Sequence, residues 1–231
     1  MNQTSLNLIA ISVFAMTLSS LLGPMFHLSP FIPAAATFGV LSLATLDALT
    51  LQGKGRNLLL DLLSGRSAQY RDRIVHHEAG HFLVAYLYNI PISGYTLTAW
   101  EALQQGQPGQ GGVSFDDTEL AAQFQQGSLS AQLVDRYFTV WMAGSAAEKL
   151  VYGAVEGGYD DRQKLRLLWT QQLRRSLTEC ETKERFAILQ AQTLLQAHWS
   201  AYEALVDAMK QRSSVAHCVE VIEEYPIEAH S

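Results

Sequence analysis

The chain has 231 residues and a formal net charge of −6. That length holds one domain with an appendage, or two small domains. The acidic balance argues against a general nucleic-acid binder, which would carry a basic patch, so no nucleic-acid partner is expected. The two cysteines, Cys180 and Cys218, lie in no C-x-x-C pattern and make no disulfide framework; a reducing compartment is the default.

Charge is unevenly spread. Residues 1–53 contain one formally charged side chain, Asp47, and all 16 basic residues lie from Lys54 onward. Two apolar stretches, Leu6 to Gly23 and Phe31 to Leu51, each approach the about 20 residues a helix needs to cross a bilayer core. Pro24 and Pro30 bracket the break between them. The pattern predicts a transmembrane helical hairpin over residues 1–52, in contact with membrane lipid. A cleaved signal peptide would need a basic start, and Met-Asn-Gln-Thr-Ser has none. A buried helical hairpin in a soluble core is the other alternative. Lys54, Arg56, Arg66, Arg71 and Arg73 all follow the second stretch, so the positive-inside tendency places residues 54 onward in the cytoplasm. An integral membrane protein with two spans is expected, with residues 53–70 as a juxtamembrane connector.

Val75 to Phe82 reads VHHEAGHF and contains H-E-x-x-H as His77, Glu78 and His81. The spacing predicts a helix from Asp72 to Tyr88, ended by Asn89 and Pro91. On a helix, positions i and i+4 share a face. Two imidazoles placed so can bind one zinc ion, with Glu78 as general base on a metal-bound water. His76 points off that face. A catalytic zinc takes three protein ligands and keeps one position open, so a third ligand is required.

Ile92 to Trp100 reads as a strand. A loop rich in Gln, Gly and Pro follows over residues 104–112, then a short strand at Val113-Ser114-Phe115. The edge of such a sheet can hold an extended peptide, or the pair is an ordinary hairpin. Asp117 opens a short helix to about Gln125, and Ser128 or Ser130 caps the next, to about Tyr152. Ala143-Gly144-Ser145-Ala146-Ala147 is a run of small residues that lets the zinc helix approach closely. Glu148 is a ligand, a group supporting a ligand, or a surface carboxylate. Asp160 and Asp161 sit at a helix N-terminus, as caps or as the third ligand. The tail predicts a helix from about Glu181 to Gln211, broken near Ser200, and a shorter one from Ser213 to about Tyr225. Ile188, Ala191, Leu195, Trp199, Tyr202, Val206 and Met209 form its buried stripe. His27, His198, His217 and His230 show no ligand spacing.

Taken in order, His77-Glu78-Ala79-Gly80-His81, Leu133-Val134-Asp135-Arg136, Met142 to Gly153, and Gly157-Gly158-Tyr159-Asp160-Asp161 resemble the peptidase domain of the FtsH family of membrane zinc proteases. Leu194 to Met209 is similar to that family's C-terminal helical segment. The resemblance implies a mainly α fold with a small β-sheet: an N-terminal transmembrane helical hairpin followed by an FtsH-peptidase-like helical zinc domain over residues 71–231. It implies Zn2+ held by His77, His81 and Asp161, Glu78 as base, and hydrolysis of a protein or peptide substrate by a zinc-activated water. Asp160 stands where the family has an asparagine. FtsH proteins carry an ATPase module between membrane and peptidase. Here about 20 residues fill that gap, and no G-x-x-x-x-G-K-[ST] occurs. The chain looks like the ATPase-less FtsH-like proteins of photosynthetic organisms. That implies a thylakoid or plasma membrane and a homo-oligomer or a separate FtsH-like ATPase partner. A non-catalytic zinc-binding scaffold or regulatory subunit of FtsH-like complexes is the alternative. A site-2-type intramembrane protease is a third, with no further apolar run of about 20 residues after the motif to support it.

Overall fold

Helical periodicity governs most of the chain, and the architecture follows it. The structure, a computed structural model, describes residues 3–23, 29, 31–50, 68–105 and 112–225. The expected connector falls largely on residues 51–67 and the tip of the Gln/Gly loop on residues 106–111; both lie outside the described residues. The chain divides into two units, Met1–Ala68 with Thr98–Gly111, and Gln69–Leu97 with Gly112–Ser231.

In the first unit, α1 (Gln3–Leu22) and α2 (Phe31–Thr50) form where the apolar stretches predicted helices. Among the described residues, no helix is long and apolar enough to cross a membrane. The expected transmembrane hairpin, the two-span integral membrane assignment, and the cytoplasmic orientation and thylakoid or plasma-membrane location built on it do not hold. The physical reason is dilution. Ser12, Thr17, Ser19 and Ser20 interrupt α1, while Pro33, Thr37 and Ser42 interrupt α2. Thr17 and Thr37 return their hydroxyls to the carbonyls of Val13 and Pro33, each at 2.8 Å, which softens but does not abolish their polarity. A 20-residue span tolerates few such groups.

The first unit also contains residues 98–104, whose first part the sequence predicts as the end of a strand. Residues 98–104 are not strand: Ala99–Gln104 is a short helix. Thr98 opens it, accepting the Glu101 N–H on its hydroxyl at 3.1 Å. Thr98-x-x-Glu101 is a capping-box signature, and it overrides the β-propensity of the preceding residues.

In the second unit, α3 (Ala68–Leu87) carries the H-E-x-x-H motif. Asn89, at φ 54, ends it in the left-handed conformation that asparagine tolerates. β1 (Ile92–Thr96) and β2 (Gly112–Phe115) pair antiparallel, with Tyr95 opposite Val113 and an irregularity between Ile92 and Gly94. Numbering the Ala99–Gln104 helix α4, the chain continues with α5 (Thr118–Gln125) and α6 (Ala131–Tyr152). Ser130, rather than Ser128, caps α6 by accepting the Leu133 N–H, and Gly153 at φ 72 ends it. Then come α7 (Tyr159–Leu167), a π-helical turn (Leu168–Gln172), α8 (Leu177–Ala197), α9 (Trp199–Lys210) and α10 (Val215–Glu223). The tail helix starts earlier than expected because Ser176 and Glu179 make a full capping box. It breaks at His198, two residues before Ser200.

The core sits around α6. Phe138, Val140, Met142, Ala143, Ala146 and Ala147 are buried along it, and α8 packs extensively against it. Burial of each large side chain such as Phe82, Phe138 or Met142 contributes about 1.5–3 kcal/mol. The small-residue run does what its composition predicts. A Cβ added to Gly80 of α3 would fall 2.6 Å from the Ala143 carbonyl oxygen and 2.8 Å from Ala147 Cβ of α6. The two helices therefore meet backbone to backbone, and that closeness positions the site.

Candidate metal centre

Helix α3 presents His77 and His81 one turn apart, with ring centroids 4.8 Å from each other. Both rings are buried and each is fixed from behind through Nδ1. His81 Nδ1–H donates to the Val140 carbonyl oxygen at 2.7 Å. A carbonyl can only accept, so the His81 Nε2 lone pair faces the other way. His77 Nδ1 lies 2.7 Å from Glu148 Oε1. In both rings Nε2 is thus the free donor, the arrangement that metal-ligating histidines use.

Helix α7 delivers the third group. Gly158, at φ 75, turns the chain into α7, and Asp161 lies in its first turn. No side chain caps this helix end, so Asp161 is not spent as a cap. Its Oδ2 lies 3.5 Å from His77 Nε2 and 3.4 Å from His81 Nε2. Lys164 holds Oδ1 at 3.3 Å. Asp160 is exposed and is not part of the cluster. The sequence left the two aspartates open on residue type alone; the helical phase of α7 separates them.

The three donors fit a metal. His77, His81 and Asp161 each offer one ligand atom, all within 4.8 Å of one another. A tetrahedral zinc with bonds of about 2.0–2.1 Å has ligand–ligand edges of about 3.4 Å, close to the two carboxylate–imidazole separations. Gly144 supplies the space. A Cβ there would sit 2.3 Å from His77 Nε2 and 2.5 Å from His81 Nε2, close to bonding distance from both. A side chain at position 144 would press on both Nε2 atoms.

The electrostatics favour a cation. Burial opposes a charged His77, but the hydrogen-bonding carboxylates of Asp161 and Glu148, with Glu78 close by, prevail and raise its imidazole from the usual 6.5 to about 10. Burial also opposes the Glu148 carboxylate. The His77 hydrogen bond and charge, the Glu156 N–H and Arg73 outweigh it and hold Glu148 at about 2. Asp161 is held well below the usual carboxylate range: its burial is outweighed by the charge of His81 and hydrogen bonds from both imidazoles.

Glu148 is the residue whose role the sequence left undecided. It is 1 % exposed and makes four polar contacts: His77, Arg73 at 2.9 Å, and the N–H groups of Glu156 at 2.8 Å and Gly157 at 3.0 Å. It supports His77 and is not among the three converging donors. Gly157 must approach closely; a Cβ there would fall 2.6 Å from Glu148 Oε1. Arg73, the Val140 carbonyl and the space at Gly144 have no local signature in the sequence, because each acts across a contact between separate elements. His76 faces Tyr202, Nδ1 to hydroxyl at 2.9 Å, and stays outside the cluster as its helical phase predicts.

No protein-family model matches this chain, and no curated protein is a significant match. The functional reading rests on the geometry of the site together with the sequence motifs. Cys180 and Cys218 are buried free thiols and take no part in it.

Proposed function

We infer that this chain is a zinc-dependent, FtsH-like peptidase that hydrolyses peptide bonds and has no ATPase module of its own. The observation that carries this reading is the convergence of His77, His81 and Asp161 on the space left by Gly144, with Glu78 next in sequence to a ligand. Two imidazoles and one carboxylate form a three-ligand set of the kind catalytic zinc uses, with a position left for water. When bound, zinc supplies Lewis-acid activation of water and of the scissile carbonyl.

The chain's own groups do the rest. Glu78 takes the proton of the attacking water and returns it to the leaving amine. Glu148 and the Val140 carbonyl fix both imidazoles through Nδ1, so that each Nε2 would be available to the ion, and Lys164 holds the outer oxygen of Asp161. Protein or peptide is the substrate class, and a separate ATPase or a spontaneously unfolded substrate supplies the extended chain. The test is zinc content together with cleavage of an unfolded protein by wild type and by Glu78→Gln. The variant should keep its metal and lose activity by at least about a hundredfold. Equal degradation by both sinks the assignment, and bound zinc with no hydrolysis of any peptide would identify a scaffold instead.

A further inference from the structure

The second strand makes a contact that ordinary hairpin pairing does not require. In an antiparallel ladder alternate residues turn their N–H away from the partner strand. Val113 stands opposite Tyr95, yet its N–H donates to Glu78 Oε2 at 3.0 Å. The residue before it, Gly112, has φ 148, a conformation that side-chain-bearing residues rarely adopt. Its N–H donates to the hydroxyl of buried Thr96 at 3.1 Å. A Cβ on Gly112 would lie 3.5 Å from Glu78 Oε2. Thr96 of β1 therefore holds Gly112, and the Gly112–Val113 backbone lies against one oxygen of the Glu78 carboxylate.

We propose that the Val113 N–H, set in place through Thr96 and Gly112, is a positioning group for Glu78: it fixes Oε2 and leaves Oε1 as the oxygen that receives the proton. The proposal rests on the reading of Glu78 as general base. A backbone amide donating to a carboxylate makes a charge-assisted bond, stronger than a neutral one. Glu78 would otherwise sample several rotamers, only some of which aim an oxygen at the reacting water. The donor belongs to the main chain, so no residue motif announces it. The small sheet then has a role in the chemistry besides any role in holding substrate.

Val113→Pro removes this N–H without deleting a ladder bond, because the N–H faces Glu78 and not β1. Thr96→Val removes the hydroxyl that holds Gly112 at nearly constant volume, and Thr96→Ser restores it. With an unfolded protein as substrate, kcat should fall about tenfold or more in Val113→Pro and Thr96→Val, with KM and zinc content unchanged. Thr96→Ser should return to near the wild-type rate. Unchanged kcat in both variants, or loss of zinc from both, overturns the positioning role. A second readout does not depend on peptidase activity. Hydrogen exchange at the Val113 amide of the zinc-loaded protein should be about tenfold faster in Glu78→Ala than in wild type. Equal exchange overturns the contact itself. A wild type that cleaves nothing while the exchange difference persists overturns the base reading and the positioning role with it, yet upholds the Glu78–Val113 bond.

Discussion

His77 and Glu148 are 71 residues apart in sequence and 2.7 Å apart in space, Nδ1 to Oε1. The contact fixes the His77 ring through Nδ1 and leaves Nε2 facing Asp161. Removing such a supporting carboxylate costs about 10- to 100-fold in metal affinity in comparable sites. Glu148→Gln should therefore weaken zinc binding by about that factor, measured by competition with a chelator. Glu148→Ala should also destabilise the fold by about 3–5 kcal/mol, because Arg73 and two backbone N–H groups lose their partner in a buried setting. Chemical denaturation reads that loss, and a stability equal to wild type would contradict the burial argument.

Asp161 and Asp160 separate cleanly by metal analysis. Asp161→Ala should abolish stoichiometric zinc, since its Oδ2 is the atom within 3.4–3.5 Å of both imidazoles. Asp160→Ala should keep full zinc occupancy, because its side chain is exposed. Metal lost only from the Asp160 variant would refute the ligand set.

Gly144→Ala tests the space for the ion. Its Cβ would press on both Nε2 atoms, so zinc content should drop below detection while helical content is retained. Gly94→Ala is the control, because an added Cβ there meets nothing within 4 Å. Normal zinc stoichiometry in Gly144→Ala would show that the ion binds elsewhere.

Gly80→Ala tests the helix contact behind the site. Alanine is the better helix former, so propensity alone predicts a gain of about 1 kcal/mol. The Cβ, however, would fall 2.6 Å from a backbone oxygen of α6, which cannot move like a side chain end. Overpacking should win, for a net loss of about 1–3 kcal/mol in unfolding free energy. A stabilised variant would mean that α3 and α6 are less tightly joined than described.

Local signals in the sequence account for several element boundaries. Asn89, Ser130 and Gly153 ended or capped helices where their chemistry predicts. Thr98-x-x-Glu101 and Ser176-x-x-Glu179 were equally local capping signatures, and they account for the overlong strand and the late start of the tail helix. The N-terminal stretches differ from their sequence pattern for another reason. Low charge and an apolar majority resemble a span, but among the described residues hydroxyls and Pro33 interrupt the two helices, and none is long and apolar enough to cross a membrane.

The opening of the site was legible because a helix has a fixed period: four residues bring His77 and His81 to one face, with Glu78 alongside. The period of one helix cannot report what another helix brings. Asp161 rather than Asp160, Glu148 as support rather than ligand, the void at Gly144 and the Val113 N–H on Glu78 all depend on how α3, α6, α7 and β2 pack together. Those contacts join residues 35 to 84 positions apart, so only the folded chain decides them.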